Sequence, residues 1–157
     1  MNYDKLLNNL KKFGKSERSS FSYWFNHWLA FNLVALKYHC WKFRFLFHDI
    51  EKPWMKLYLK DYKKVHECHR LHNKHHLEYM FRHIILDNKI KADWLAMVID
   101  RECSRFTKIA NPKTAREQLQ ADIEEINEKY PTIKFKGVYL ADIVKENFTK
   151  IFEKIGL

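Results

Sequence analysis

The stretch "FSYWFNHWLAFNLVAL", residues 21–36, carries no charged side chain and decides how the rest of the sequence is read. It is either a membrane span or the core helix of a folded domain. A spanning helix needs roughly 20 apolar residues, and this segment is shorter and interrupted by Asn26, His27 and Asn32. It is therefore expected to be a buried helix, capped near Ser19 or Ser20, and the remaining chain has to supply helices that cover it. Only 3 glycines and 3 prolines punctuate 157 residues, and few stretches alternate cleanly, so turn-rich β architectures are excluded. The expectation is an all-α chain: one compact domain of six to eight helices over residues 1–157, large enough to bury a core without disulfide or metal staples.

Charge narrows the partners. With 29 basic and 19 acidic residues the formal net charge is +10, which favours an anionic partner: nucleic acid, a nucleotide, another phosphate compound or an acidic lipid surface. Cys40, Cys68 and Cys103 are far apart and odd in number, as expected of reduced thiols in a cytoplasmic protein. The opening "MNYDKLLNNLKKFGKSERSS" lacks the apolar region of a secretory signal. A membrane is not an expected partner.

Periodicity and punctuation give the helix map. A polar helix is expected over residues 2–13, ending near Gly14, then the aromatic helix to about residue 40 and another from Trp41 through His48. Pro53 should break or restart the chain, because the residue before a proline resists helical geometry. Helices are then expected over about 54–71 and 76–87, either side of "HNKHH" (72–76), and from about Ile90 through "KADWLAMVIDRECSRFTK". In "NPKTAREQLQADIEEINEKY" (111–130), Asn111 reads as the cap and Pro112 as the first helical position. "TIKFKG" reads as a short extended piece, and "VYLADIVKENFTKIFEKI" closes the chain as an amphipathic helix.

All 9 histidines lie between residues 27 and 83. Neutral imidazole is a ready ligand for first-row metals, and a carboxylate among imidazoles adds negative charge and is able to bridge two ions. Candidates fall on four segments: His27 in the aromatic helix, His48-Asp49, the group His72, His75 and His76, and Asp93. Asp100 competes with Asp93, seven residues away on the same helical face. His39 reads as packing, and His66, His69 and His83 as surface residues. The five tryptophans read as core rather than as a substrate platform.

The ordered set His27, "HDIEK" (48–52) and Asp93 resembles the HD-domain metal-dependent phosphohydrolases, an all-helical superfamily. It is most similar to a small bacterial and phage family of HD-like proteins with a leading His, H-D-x-S-K, N-x-H-H-x-E-Y and D-W-x-A. Here these are His27, "HDIEK", "NKHHLEY" (73–79) and "DWLA" (93–96), a resemblance covering residues 22–100, with the helices of 111–157 outside it. Trp94 matches the pattern and favours Asp93 as the last ligand. The resemblance implies one or two divalent ions (Mn, Fe, Zn, Mg, Co or Ni) held by His27, His48, Asp49 and Asp93, with His72, His75 or His76 for a second. It implies water-driven hydrolysis of a phosphate-containing small molecule, such as a nucleotide, with Asp49 and Lys52 as catalytic residues. Lys52, with Arg70, Lys74 and Arg82, would neutralise phosphate charge.

Three departures bear on that expectation. Glu51 stands where the small family has serine, either as an acceptor behind the ligands or facing solvent. No G-Y-P follows the paired histidines, so cyclic-dinucleotide hydrolysis is not implied. Lys52 stands where many HD nucleotidases carry a glutamate. Two other classes stay open at this level: a non-catalytic HD-like module that binds metal or phosphate, and a basic helical protein that binds nucleic acid.

Overall fold

The computed structural model describes residues 2–13, 21–108 and 112–157, residues 11–13 by their backbone alone. Among them are eight α-helices and one two-stranded hairpin, so the protein is all-α. The helices are α1 (Tyr3–Phe13), α2 (Phe21–Lys37), α3 (Glu51–Leu59), α4 (Tyr62–His72), α5 (Leu77–Asp87), α6 (Trp94–Thr107), α7 (Ala115–Lys129) and α8 (Leu140–Ile155). The hairpin pairs β1 (Lys134–Phe135) with β2 (Val138–Tyr139), antiparallel, through a turn at Lys136 and Gly137. The expected end at Gly14 and the expected caps at Ser19, Ser20 and Asn111 lie outside the described residues.

The uncharged stretch is α2, and it is a core helix. Ala30, Phe31, Val34 and Ala35 are buried against α1 and α6. No helix among the described residues is long and apolar enough to cross a membrane. Helix α6 lies between two hydrophobic clusters. Leu95, Ala96, Ile99, Cys103 and Phe106 face the cluster of α1 and α2, while Met97 and Val98 face that of α5, α7 and α8. A helix buried on both sides cannot show a single apolar stripe. Because α6 is fixed on two sides, it serves as a rigid wall for whatever packs on its remaining face.

Local chemistry moved several boundaries away from those expected. Trp41–His48 is not an α-helix: only Phe43–Phe47 winds, as a 3₁₀ turn. The connection is held instead by α2. Asn32 donates to the Phe45 carbonyl at 3.3 Å and accepts from Trp41 Nε1 at 2.8 Å, and Trp28 Nε1 donates to the Leu46 carbonyl at 2.9 Å. Pro53 marks a restart of the chain rather than a break in a helix. It is the third residue of α3, where its missing N–H would have had no intrahelical partner.

The break comes at Lys60, which takes a left-handed conformation at φ 53°. Asp61 follows as the cap of α4, accepting from the Lys63 N–H at 2.9 Å, so the helix expected over 54–71 is two helices. Pro112 precedes α7 rather than starting it. Thr114 and Glu117 form a reciprocal capping box two residues later, with bonds of 3.2 and 2.7 Å. The expected break at "HNKHH" is present: α4 ends at His72 and α5 begins at Leu77.

Candidate metal centre

His48 and Asp49 sit in the turn between the 3₁₀ segment and α3, and α2 positions both. Phe31 stacks under the His48 ring with centroids 3.6 Å apart and planes 11° from parallel. Trp24 Nε1 donates to the Asp49 carbonyl at 2.7 Å. Asp49 has φ 58°, a left-handed conformation that aspartate tolerates better than most residues. The tight turn drives both side chains inward, and each is buried.

Asp49 is the hub. Its Oδ1 lies 3.0 Å from His69 Nε2 and 3.1 Å from His75 Nε2. Its Oδ2 lies 3.6 Å from His48 Nε2, 3.8 Å from His27 Nε2 and 2.5 Å from Lys52 Nζ. Asp100, on the free face of α6, places Oδ1 2.9 Å from His27 Nε2 and 3.4 Å from His48 Nε2. His76 completes the second group, its ring centroid 4.4 Å from that of His75 and 4.7 Å from that of His69. The donors thus fall into two sets that share Asp49: His27, His48 and Asp100 on one side, His69, His75 and His76 on the other.

These atoms fit a cation better than they fit one another. His48 Nε2, Asp49 Oδ1, His69 Nε2, His75 Nε2 and His76 Nε2 are buried without a hydrogen-bond partner. Short distances between them do not bring the alignment a hydrogen bond needs. Each orphaned group costs about 1–3 kcal/mol, and buried polar groups are normally satisfied. Five converging on one point is the donor arrangement of a metal site. The combinations His27, His48 and Asp49, and His69, His75 and His76, each have donor atoms within 4.8 Å of one another.

Supporting contacts fix the imidazoles. His69 Nδ1 bonds Glu51 Oε1 at 2.5 Å, and Asn73 Nδ2 donates to the same oxygen at 2.9 Å, leaving the His69 Nε2 lone pair turned to the cluster. Glu51 is thus the acceptor behind a histidine. Cys103 Sγ approaches His27 Nδ1 to 3.7 Å, but burial, reinforced by Asp100, pushes its pKa well up, so it stays a thiol and a poor ligand.

The electrostatics favour neutral imidazole and ionised carboxylate, the forms a metal needs. Burial lowers His48 to about 4 and, with His75 nearby, holds His76 well below its ordinary value. Burial opposes ionisation of Asp49, yet His48, Lys52 and His69 hold it well below the usual carboxylate range. Asp100 is held down likewise, against its burial, by its hydrogen bond with His27 and by the His48 ring beside it. Burial works against the Lys52 charge too, but Asp49 and Asp100 outweigh it and raise the pKa.

A pH dependence follows for the metal-free protein. Between pH 6.5 and about 4, the unfolded chain takes up protons that folded His48 leaves off, and His76 adds to the effect. Stability therefore falls as pH drops through that window. His69 opposes it: against its burial, Asp49 and Glu51 raise its pKa, and the stability it adds is lost only as pH rises. Thermal unfolding in chelator should give a melting temperature several degrees lower near pH 5 than near pH 7. An unchanged melting temperature would mean these imidazoles are not desolvated.

Other expected site residues lie elsewhere. Asp93 is not in the cluster. It caps α6, accepting from the Ala96 N–H at 3.2 Å, and pairs with Arg44 at 2.8 Å. His72 is exposed at the end of α4, bonded to the Cys68 carbonyl and to Arg82. His39 is exposed beyond α2 rather than packed, with φ 52°. His69, expected at the surface, is fully buried. Its position one turn after buried Val65 was the available signal.

Several clefts among the described residues reach the cluster, two of them beside His27. A polar one of about 290 Å³ is lined by Lys52, His66, Arg70, Arg101 and Lys108, among others. An apolar one of about 160 Å³ runs past Phe21, Trp24, Pro53, Tyr62 and Val65 to Asp49. Lys52 borders both. Arg70 reaches the polar cleft while paired with Glu78. Lys74 is exposed and Arg82 is at the surface beside His72, and neither lines these two clefts. Arg101 and Lys108, not singled out from the sequence, supply positive charge in the polar one. The chain matches no protein-family model, no curated protein and no solved structure.

Proposed function

We propose that the protein is a metal-dependent phosphohydrolase in which His27, His48 and Asp100 would hold one divalent ion and His69, His75 and His76 a second, with Asp49 between the two sets. The observation that carries this reading is the division of donors around that one carboxylate, each oxygen facing its own set of buried imidazoles. The nitrogen-rich set suits Mn²⁺, Fe²⁺, Co²⁺, Ni²⁺ or Zn²⁺ better than Mg²⁺, which prefers oxygen. Bound there, such ions supply Lewis acidity and lower the pKa of water into the neutral range.

The chain's own residues do the rest. Lys52 is held charged, so it offsets developing charge on a phosphoryl group rather than donating a proton. Arg70, Arg101 and Lys108 make the adjoining cleft attractive to further phosphate or other anionic groups. Lys52 Nζ lies 2.5 Å from Asp49 Oδ2 and also lines the polar cleft, so it stands between the carboxylate and the space where a phosphate would enter.

The test is phosphate release from nucleotides and simple phosphoesters by protein reconstituted with each of these ions, alongside metal analysis by plasma mass spectrometry. One or two ions per chain with chelator-sensitive hydrolysis is the expected result. Ions bound without hydrolysis of any phosphoester would leave a binding module. No ion bound after reconstitution would overturn the reading.

A further inference from the structure

Helix α3 buries none of its residues, although its sequence is rich in large apolar side chains. A helix in a folded domain normally turns such residues to the core. Here Ile50 at the cap, with Trp54, Leu57 and Tyr58, follows helical spacing on one face, and that face is turned outward. Trp54 is 65%, Leu57 68% and Tyr58 84% exposed, and the preceding turn adds Phe43 and Phe47, also exposed. Large apolar groups gathered on a surface in this way mark a docking site.

Charge identifies what docks. Between residues 41 and 64 there are 7 lysines and arginines against 3 carboxylates. Those three are engaged within the protein: Asp49 is buried, Glu51 bonds His69 and Asn73, and Asp61 caps α4. The face is therefore apolar, and the end of α3 and the start of α4 next to it carry Lys60, Lys63 and Lys64, all exposed. A second copy on a twofold axis would bring two surfaces of the same positive sign together. A nucleic acid strand is met by aromatic platforms in a charged groove, whereas this is the outer face of a helix with Ile50 and Leu57 among its aromatics.

An anionic bilayer satisfies both features. Leucine, isoleucine and phenylalanine enter the acyl boundary, tryptophan and tyrosine settle at headgroup depth, and lysines reach the phosphates. We propose that the outward face of α3, together with the Phe43–Phe47 turn, docks the protein onto anionic lipid bilayers.

The experiment is co-sedimentation of the full chain with phosphatidylcholine vesicles, with and without about a third phosphatidylglycerol. Wild-type protein is expected to pellet with the anionic vesicles and far less with the neutral ones. The variants Trp54→Ser/Leu57→Ser and Lys60→Glu/Lys63→Glu/Lys64→Glu should each weaken binding by about tenfold or more. All of these side chains are exposed, so far-UV circular dichroism and metal content should match wild type. Wild type that stays in the supernatant, or a Trp54/Leu57 variant that pellets undiminished, overturns the proposal. So does a dimer that this variant dissolves, which would assign the face to a second copy. Vesicle binding is read without reference to hydrolysis, so its failure leaves the proposed activity untouched.

Discussion

Asp49→Asn is expected to strip the protein of bound metal and to lower phosphoester hydrolysis by more than about 100-fold. Removal of groups that merely support metal ligands typically costs about 10–100-fold, and on the proposed reading Asp49 would be a ligand itself, between both sets of imidazoles. Asparagine keeps the shape but replaces one oxygen with an N–H₂ that repels a cation, so whichever way the amide turns, one set of imidazoles loses its carboxylate. The charge is lost as well, and with it the partner of Lys52 and His69. Breaking a buried ion pair by removing one member costs about 3–5 kcal/mol. Part of that is recovered here, because the Lys52 ammonium has a cleft to move into.

Two measurements separate site from scaffold. Metal content and turnover should fall together, while far-UV circular dichroism stays near wild type and the melting temperature in chelator drops by several degrees. Wild-type metal occupancy in Asp49→Asn would show that the two sets do not share this carboxylate, and the two-ion reading would fail with it.

The helices were legible in the sequence where burial is one-sided or uniform. Residues 21–36 read as a core helix because they are uncharged yet too short, and too interrupted by Asn26, His27 and Asn32, to span a bilayer, and α5 and α8 show clean helical spacing. Legibility ended where a single residue's backbone chemistry outweighs pattern. Nothing in "LYLKDYKK" announces that Lys60 turns left-handed, although Asp61 before "YKK" is a capping signal. The capping box at Thr114 was equally visible, but the preceding Asn-Pro drew the helix start to the wrong residue.

The site was legible in part for a related reason. His27, His48, Asp49, His75 and His76 stand in ordered motifs, and the fold brings them together. His69 was obscured because it stands outside both "HDIEK" and "NKHHLEY", in a polar helix where it reads as a surface residue. The break after His72 folds 73–76 back, so that His75 and His76 meet His69 from the side. Distances across that break depend on how α4 and α5 pack, which no local pattern encodes.

The sharpest discrimination lies between the two aspartates of α6. Asp100→Asn should lose metal from the His27 and His48 side and reduce hydrolysis by more than about 100-fold, because its Oδ1 faces both imidazoles. Asp93→Asn should leave metal content and hydrolysis near wild type. Asparagine caps a helix about as well as aspartate, and the lost Arg44 pair is half exposed, worth at most about 1 kcal/mol. Asp93→Ala, which removes the cap, should cost about 1 kcal/mol, or roughly 2–4 °C in melting temperature, again without loss of metal. The reverse pattern would restore the reading in which Asp93-Trp94 marks the final ligand. The geometry favours Asp100 because a residue that starts a helix must spend its side chain on the free N–H groups there. One seven positions further on has its backbone hydrogen bonds made, and its carboxylate is free to face the histidines across the fold.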